Sequence, residues 1–124
     1  MPLYTIMCAQ DLVDDAGRER LATDITDLHT RMAGVPAEWV HVIFQVFPPT
    51  HGFTAGRRAD VVAMTLVIRD GRSSEYKRTM LTALWRLLQD ATGAADDQIV
   101  IGIQEVPPSQ AMEMGQIMPD VADA

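Results

Sequence analysis

GVPAEWVHVIFQVFPP (residues 34–49) and GAADDQIVIGIQEVPP (residues 93–108) read as one segment written twice. Laid one above the other, Gly34 falls on Gly93, Val40 on Ile99, Val42 on Ile101, Phe44 on Ile103, Gln45 on Gln104 and Pro48-Pro49 on Pro107-Pro108. The offset, 59 residues from Gly34 to Gly93, is constant throughout. Carried backward without a gap, it lays Leu21, Ile25 and Leu28 on Met80, Leu84 and Leu87, and Pro2 on Val61. One register running through helical and extended segments alike points to an internal duplication, with repeats 2–49 and 61–108.

Each copy reads strand, helix, strand. Residues 2–8 and 61–69 are β-rich runs. DDAGRERLATDITDLHTRMAG has Asp14 or Asp15 to cap its start, an apolar stripe of Leu21, Ile25, Leu28 and Met32, and Gly34 as a stop. SSEYKRTMLTALWRLLQDATG repeats the plan, with Ser73 or Ser74 at the cap and Gly93 at the end. Strands 38–47 and 98–106 follow. The expected fold is α+β: one four-stranded sheet with both helices on one face and parallel strands within each copy. The polar, turn-rich stretch PPTHGFTAGRRAD (48–60) joins the copies and is long enough to carry a function. The sheet's other face then needs a cover, which a homo-oligomer supplies economically. In the tail SQAMEMGQIMPDVADA, Met112, Met114, Ile117 and Met118 are candidates to pack across such an interface.

Bulk properties exclude several classes. At 124 residues the chain makes one domain, residues 1–124. A net charge of −7 speaks against nucleic acid, which needs a basic stripe, and against anionic membrane. The single cysteine, Cys8, forbids an internal disulfide and fits a reducing compartment. Apolar runs are too short to span a bilayer, and residues 1–12 lack a secretory pattern, so a cytoplasmic location is expected. There is no Gly-rich phosphate loop and no cluster of ligand residues, so neither cofactor nor metal is expected; His41 and His51 read as structural.

Four motifs in order carry a family resemblance: the Met-Pro start, ITDLH (25–29), RDGR (69–72) and EVPPSQAMEMG (105–115). The chain resembles the tautomerase superfamily over nearly its whole length, and in particular its cis-3-chloroacrylic acid dehalogenase-like branch, although it ends short of that branch's longer tail. The resemblance implies a tautomerase/MIF-like fold, a homotrimer, and an enzyme that uses an N-terminal proline as acid or base on a small carboxylate.

Pro2 is thus the first candidate. As an internal residue it is an ordinary strand-edge proline. With Met1 trimmed, it becomes a secondary α-amine able to move protons near neutral pH. Arg69 and Arg72 flank Gly71 at a strand exit just before a helix start, where forked guanidinium donors and the helix's positive end suit a carboxylate. Their ordinary alternative is pairing with Asp70 or Glu75. His29 lies roughly 80° from the apolar stripe, on the flank of the buried face; the resemblance makes it a hydrogen-bond donor to the substrate carboxylate. The resemblance gives Glu113, otherwise the outer side of an amphipathic turn, the task of activating water or positioning substrate. Where the dehalogenases carry a tyrosine, in a strand written WVYFGE, this chain has Gly102. Its loss weighs against hydrolytic dehalogenation. It also suggests a larger cavity, with Trp39 and His41 pointing the same way on the neighbouring strand.

The leading reading is a tautomerase that moves a proton within a small 2-oxo or unsaturated carboxylate. The alternatives are a hydratase or hydrolytic dehalogenase of 3-haloacrylate-type acids, and a non-catalytic binding protein that kept the scaffold.

Overall fold

The computed structural model describes residues 1–121; positions 122–124, the end of the Met-rich tail, lie outside the described residues. Strand β1 (Leu3–Ala9) leads to helix α1 (Asp15–Ala33), a 3-10 turn at Ala37–Trp39 and strand β2 (His41–Phe47). A small hairpin, β3 (Phe53–Thr54) and β4 (Arg57–Arg58), connects to β5 (Val62–Arg69), α2 (Ser74–Thr92) and β6 (Ile99–Val106). A second hairpin, β7 (Met112–Glu113) and β8 (Gln116–Ile117), follows.

The caps are where the composition puts them. Asp14 accepts from Gly17 N at 2.7 Å and Ser73 accepts from Tyr76 N at 3.0 Å, so each serves a free N–H of the first turn. Gly34 (φ 70°) and Gly93 (φ 69°) end the helices in the left-handed conformation, and each bonds back to the helix's last turn.

The main sheet runs β2-β1-β5-β6. Within each β-α-β unit the strands are parallel; the central pair β1 and β5 is antiparallel. Both helices pack on one face, where Leu21, Ile25 and Leu28 of α1 and Met80, Leu84 and Leu88 of α2 meet Tyr4, Ile6, Val62, Met64 and Leu66. The opposite face carries Leu3, Thr5, Met7, Ile43, Ala63, Thr65, Val67 and Val100 by alternation. Met7, Ile43 and Val100 are exposed there.

The register corrects the ungapped alignment of the opening strands. Tyr4 faces the helices beside Val42, and its counterpart beside Ile101 is Met64, an offset of 60. Gln10 N bonds to Phe47 O just as Asp70 N bonds to Val106 O. Pro2 therefore corresponds to Val62, not Val61. An offset of 59 would turn Ala63 and Thr65 into the core, because a slip of one residue exchanges the faces of a strand. The difference is absorbed after the strands: four residues separate Ala9 from its cap Asp14, but three separate Arg69 from Ser73.

Candidate active site

Antiparallel pairing of β1 with β5 assembles the site. Leu3 lies opposite Val67, so the chain's start meets the end of β5. The last turn of α1 and the first of α2 frame the same corner. A small cavity there is lined by Met1, His29, Ala33, Val35, Ile68, Arg69, Arg72, Tyr76 and Val121. With Met1 in place its free volume is about 10 Å³, room for about one water.

Arg69 is buried, 4% exposed. Its Nη1 donates to the Pro119 carbonyl at 2.7 Å, and its guanidinium lies 5.6 Å from the Trp39 ring centre. Burial first, then the Arg72 charge, lowers its pKa; Asp120 opposes this. Arg72 donates through Nη2 to the Ala33 carbonyl at 3.3 Å and sits 5.0 Å over the Tyr76 ring. Neither arginine pairs with Asp70 or Glu75 among the described residues. Two stacked cations, each using one of several N–H groups on a carbonyl, retain donors for an anion.

His29 is only 3% exposed, well inside the buried face rather than on its flank. The same place in α2 is Leu88, fully buried. Nδ1 of His29 lies 2.7 Å from the Tyr4 hydroxyl, with the rings edge to face at 5.6 Å. Burial, then Arg72, the N-terminal ammonium and Arg69, hold its pKa down to about 4, so the ring is neutral at pH 7.

Glu113 reaches the same corner from β7. The tight turn at Met114 and Gly115, both with positive φ (53° and 73°), folds the hairpin back. Met112, Met114 and Ile117 are exposed while Met118 is buried. The Glu113 carboxylate forms an ion pair with the Met1 α-amine through its buried Oε2. Burial, then Arg69, lowers the pKa of that amine to about 6. Pro2 is fully buried, and its carbonyl accepts from His41 N at 3.2 Å. With Met1 present, the Pro2 nitrogen is an amide and Met1 lines the cavity beside it.

The Gly102 expectation is corrected. Gly102 pairs with Thr65 on β5, whereas Trp39 and His41 lie at the far edge with β2, with β1 and β5 between. Alternation puts Gly102 on the open face, where an added Cβ meets nothing within 4 Å. The glycine does not enlarge the cavity of its own protomer. His41 and His51 are exposed, and no cluster able to hold a metal occurs among the described residues.

Sequence reasoning missed Tyr4, Tyr76 and the Pro119 carbonyl. A signal for Tyr4 existed: with the register set by the sheet, Tyr4 and His29 stand where the second copy has Met64 and Leu88. Glu113 likewise stands where the first copy has Thr54.

Two β-α-β units sharing one mixed sheet, backed by two helices, make the tautomerase fold. The chain belongs to the Tautomerase_3 family, described as "Putative oxalocrotonate tautomerase enzyme", which matches residues 1–124. Native Ps01740 is similar at 34% identity and a TM-score of 0.85, over 90% of this chain and 99% of that one. N1, a member of the cis-3-chloroacrylic acid dehalogenase family, is 26% identical with a TM-score of 0.90, over 98% of this chain and 86% of that one. Pt0534 inactivated by 2-oxo-3-pentynoate shares the fold at 19% identity and a TM-score of 0.84, over 94% of each chain. No curated protein matches the chain. Among the described residues no helix is long and apolar enough to cross a membrane.

Proposed function

We propose that this protein is a tautomerase acting on a small 2-oxo or unsaturated carboxylate, with Pro2 as its general base after removal of Met1. The observation that carries the reading is the meeting of the chain's start with Arg69, Arg72, His29 and Glu113 at one corner of the sheet. Arg69, Arg72 and the neutral His29 hold the carboxylate. Trimming Met1 frees the space it fills and turns Pro2 into a secondary amine. Burial and Arg69, which depress the Met1 amine, act on that amine too and favour its neutral form. Neutral Pro2 takes the enol hydroxyl proton and returns it to carbon, closing the cycle without net change in the enzyme. Glu113 stabilises the protonated proline in between. No cofactor enters this scheme.

The protein is read as a homotrimer in the cytoplasm. The apolar open face of the sheet, with Met7, Ile43 and Val100 exposed, supports a self-association that buries it.

A second reading, hydration or hydrolytic dehalogenation of a 3-haloacrylate, draws on Glu113. With Met1 trimmed, Glu113 Oε2 gives up its partner in the Met1 ammonium, and a carboxylate at that corner is suited to hold and activate water.

The test is covalent trapping. Pro2 amine should add to 2-oxo-3-pentynoate, and peptide mapping should find the mass increment on an N-terminal peptide that starts at Pro2. Enol carboxylate ketonisation should disappear with it. Intact protein that keeps Met1, or label elsewhere with turnover intact, overturns the assignment. Chloride release from 3-chloroacrylate without enol turnover would favour the second reading.

A further inference from the structure

We propose that the Tyr4 hydroxyl is a positioning group, locking His29 in the tautomer that carries its proton on Nε2 and so presents an N–H to the bound carboxylate. The inference rests on the carboxylate site described above, but its first readout does not.

The geometry is a buried pair. Tyr4 is fully enclosed and His29 nearly so, and Nδ1 stands 2.7 Å from the phenol oxygen. Only one hydrogen is shared between them. Either the phenol donates to Nδ1, or Nδ1–H donates to the phenol and the phenol turns to the Met80 sulfur at 3.9 Å. A ring nitrogen lone pair at that distance is the stronger acceptor, and a thioether is a weak one. The phenol therefore donates, Nδ1 accepts, and the ring proton resides on Nε2. Burial raises the Tyr4 pKa, which keeps the donor protonated.

The other nitrogen, Nε2, has no hydrogen-bond partner among the described residues and is not sealed off, and the ring borders the cavity. The groups facing it are Arg69, Arg72 and the N-terminal amine, all of which disfavour a second proton on the ring. A neutral ring offers an anion one N–H or one lone pair, and the tautomer decides which. In the opposite tautomer a lone pair would confront the carboxylate.

The repeat supplies a control within the molecule. Met64 and Leu88 occupy the equivalent places and are buried without any polar contact. The scaffold thus packs at this junction with apolar side chains alone. A buried polar pair in one copy only, beside the cavity, answers to a ligand rather than to folding.

Nitrogen-15 spectra of imidazole-labelled protein, with Met1 processed as found, read the tautomer directly. The expected spectrum has an unprotonated Nδ1 and a protonated Nε2. Tyr4→Phe, which keeps the ring and removes the hydroxyl, should give mixed tautomers. It should also weaken pyruvate binding, followed at the Nε2–H resonance, about tenfold. KM for an enol carboxylate should rise by a similar factor with kcat little changed. Met80→Leu should leave the tautomer as it was. A wild-type spectrum with the proton on Nδ1 overturns the proposal, as does a folded Tyr4→Phe protein with unchanged tautomer and pyruvate affinity. If Tyr4→Phe fails to fold, the wild-type spectrum still decides. Because tautomer and pyruvate binding are read without turnover, a wrong choice of reaction would leave this test standing.

Discussion

Acid should unfold this protein through His29, and replacing that side chain should remove much of the sensitivity. The ring's pKa falls from 6.5 to about 4 on folding because burial and the Arg72 charge oppose a second proton. A depressed native pKa means that the unfolded chain protonates first. Stability is therefore whole above pH 6.5, drains away as pH drops toward 4, and changes no further through this group below that. At about 1.4 kcal/mol per tenfold change in proton affinity, the loss comes to about 3 kcal/mol. Set against the roughly 5–15 kcal/mol that holds a domain together, that is a large share. The assay is urea denaturation from pH 7.5 to 4 at fixed protomer concentration, for wild type and His29→Gln. Glutamine keeps a carbonyl for Tyr4 to donate to and cannot be protonated. The gap between the two proteins should shift by about 3 kcal/mol in favour of the variant across that window. Parallel curves would refute the reasoning, and a shift favouring wild type in acid would mean that His29 is charged in the fold.

Other consequences are open to measurement. Arg69→Ala should lower kcat/KM about 10- to 100-fold by removing a charged donor, while gel filtration shows the assembly unchanged; near-wild-type turnover would remove the carboxylate site. Since the Met1 amine stands at about 6 in this cavity, a Pro2 base in the same environment should lose activity as pH falls through that region, because protonation disables it. An ascending limb near the ordinary value of about 8 would contradict the depressed amine. Gly34→Ala should cost about 1 kcal/mol, since an alanine must adopt φ 70° there, and thermal unfolding would report it.

Duplication, parallel strands within each unit, helix caps and the glycine stops were all legible in the letters. They depend on local preferences and on a repeat that each copy states independently. The opening strands were less legible: only the sheet register showed that Pro2 corresponds to Val62, because four hydrophobic positions in a row fit either face until a partner strand fixes them. Gly102 was placed beside Trp39 and His41 on the same kind of evidence. Strand order, which puts β2 and β6 at opposite edges, separates them.

What the sequence determined by itself was the pair of β-α-β units and the candidate site residues, Pro2, His29, Arg69, Arg72 and Glu113. Their meeting belongs to the tertiary structure. Antiparallel pairing of β1 with β5 brings the first residues of one unit to the exit of the other, and a hairpin carries Glu113 back across more than a hundred residues of chain. Tyr4 acquires its part in the same way, since a phenol in a strand means nothing until α1 sets an imidazole 2.7 Å away. Such contacts arise from packing between distant segments, and no local pattern in either segment encodes the distance.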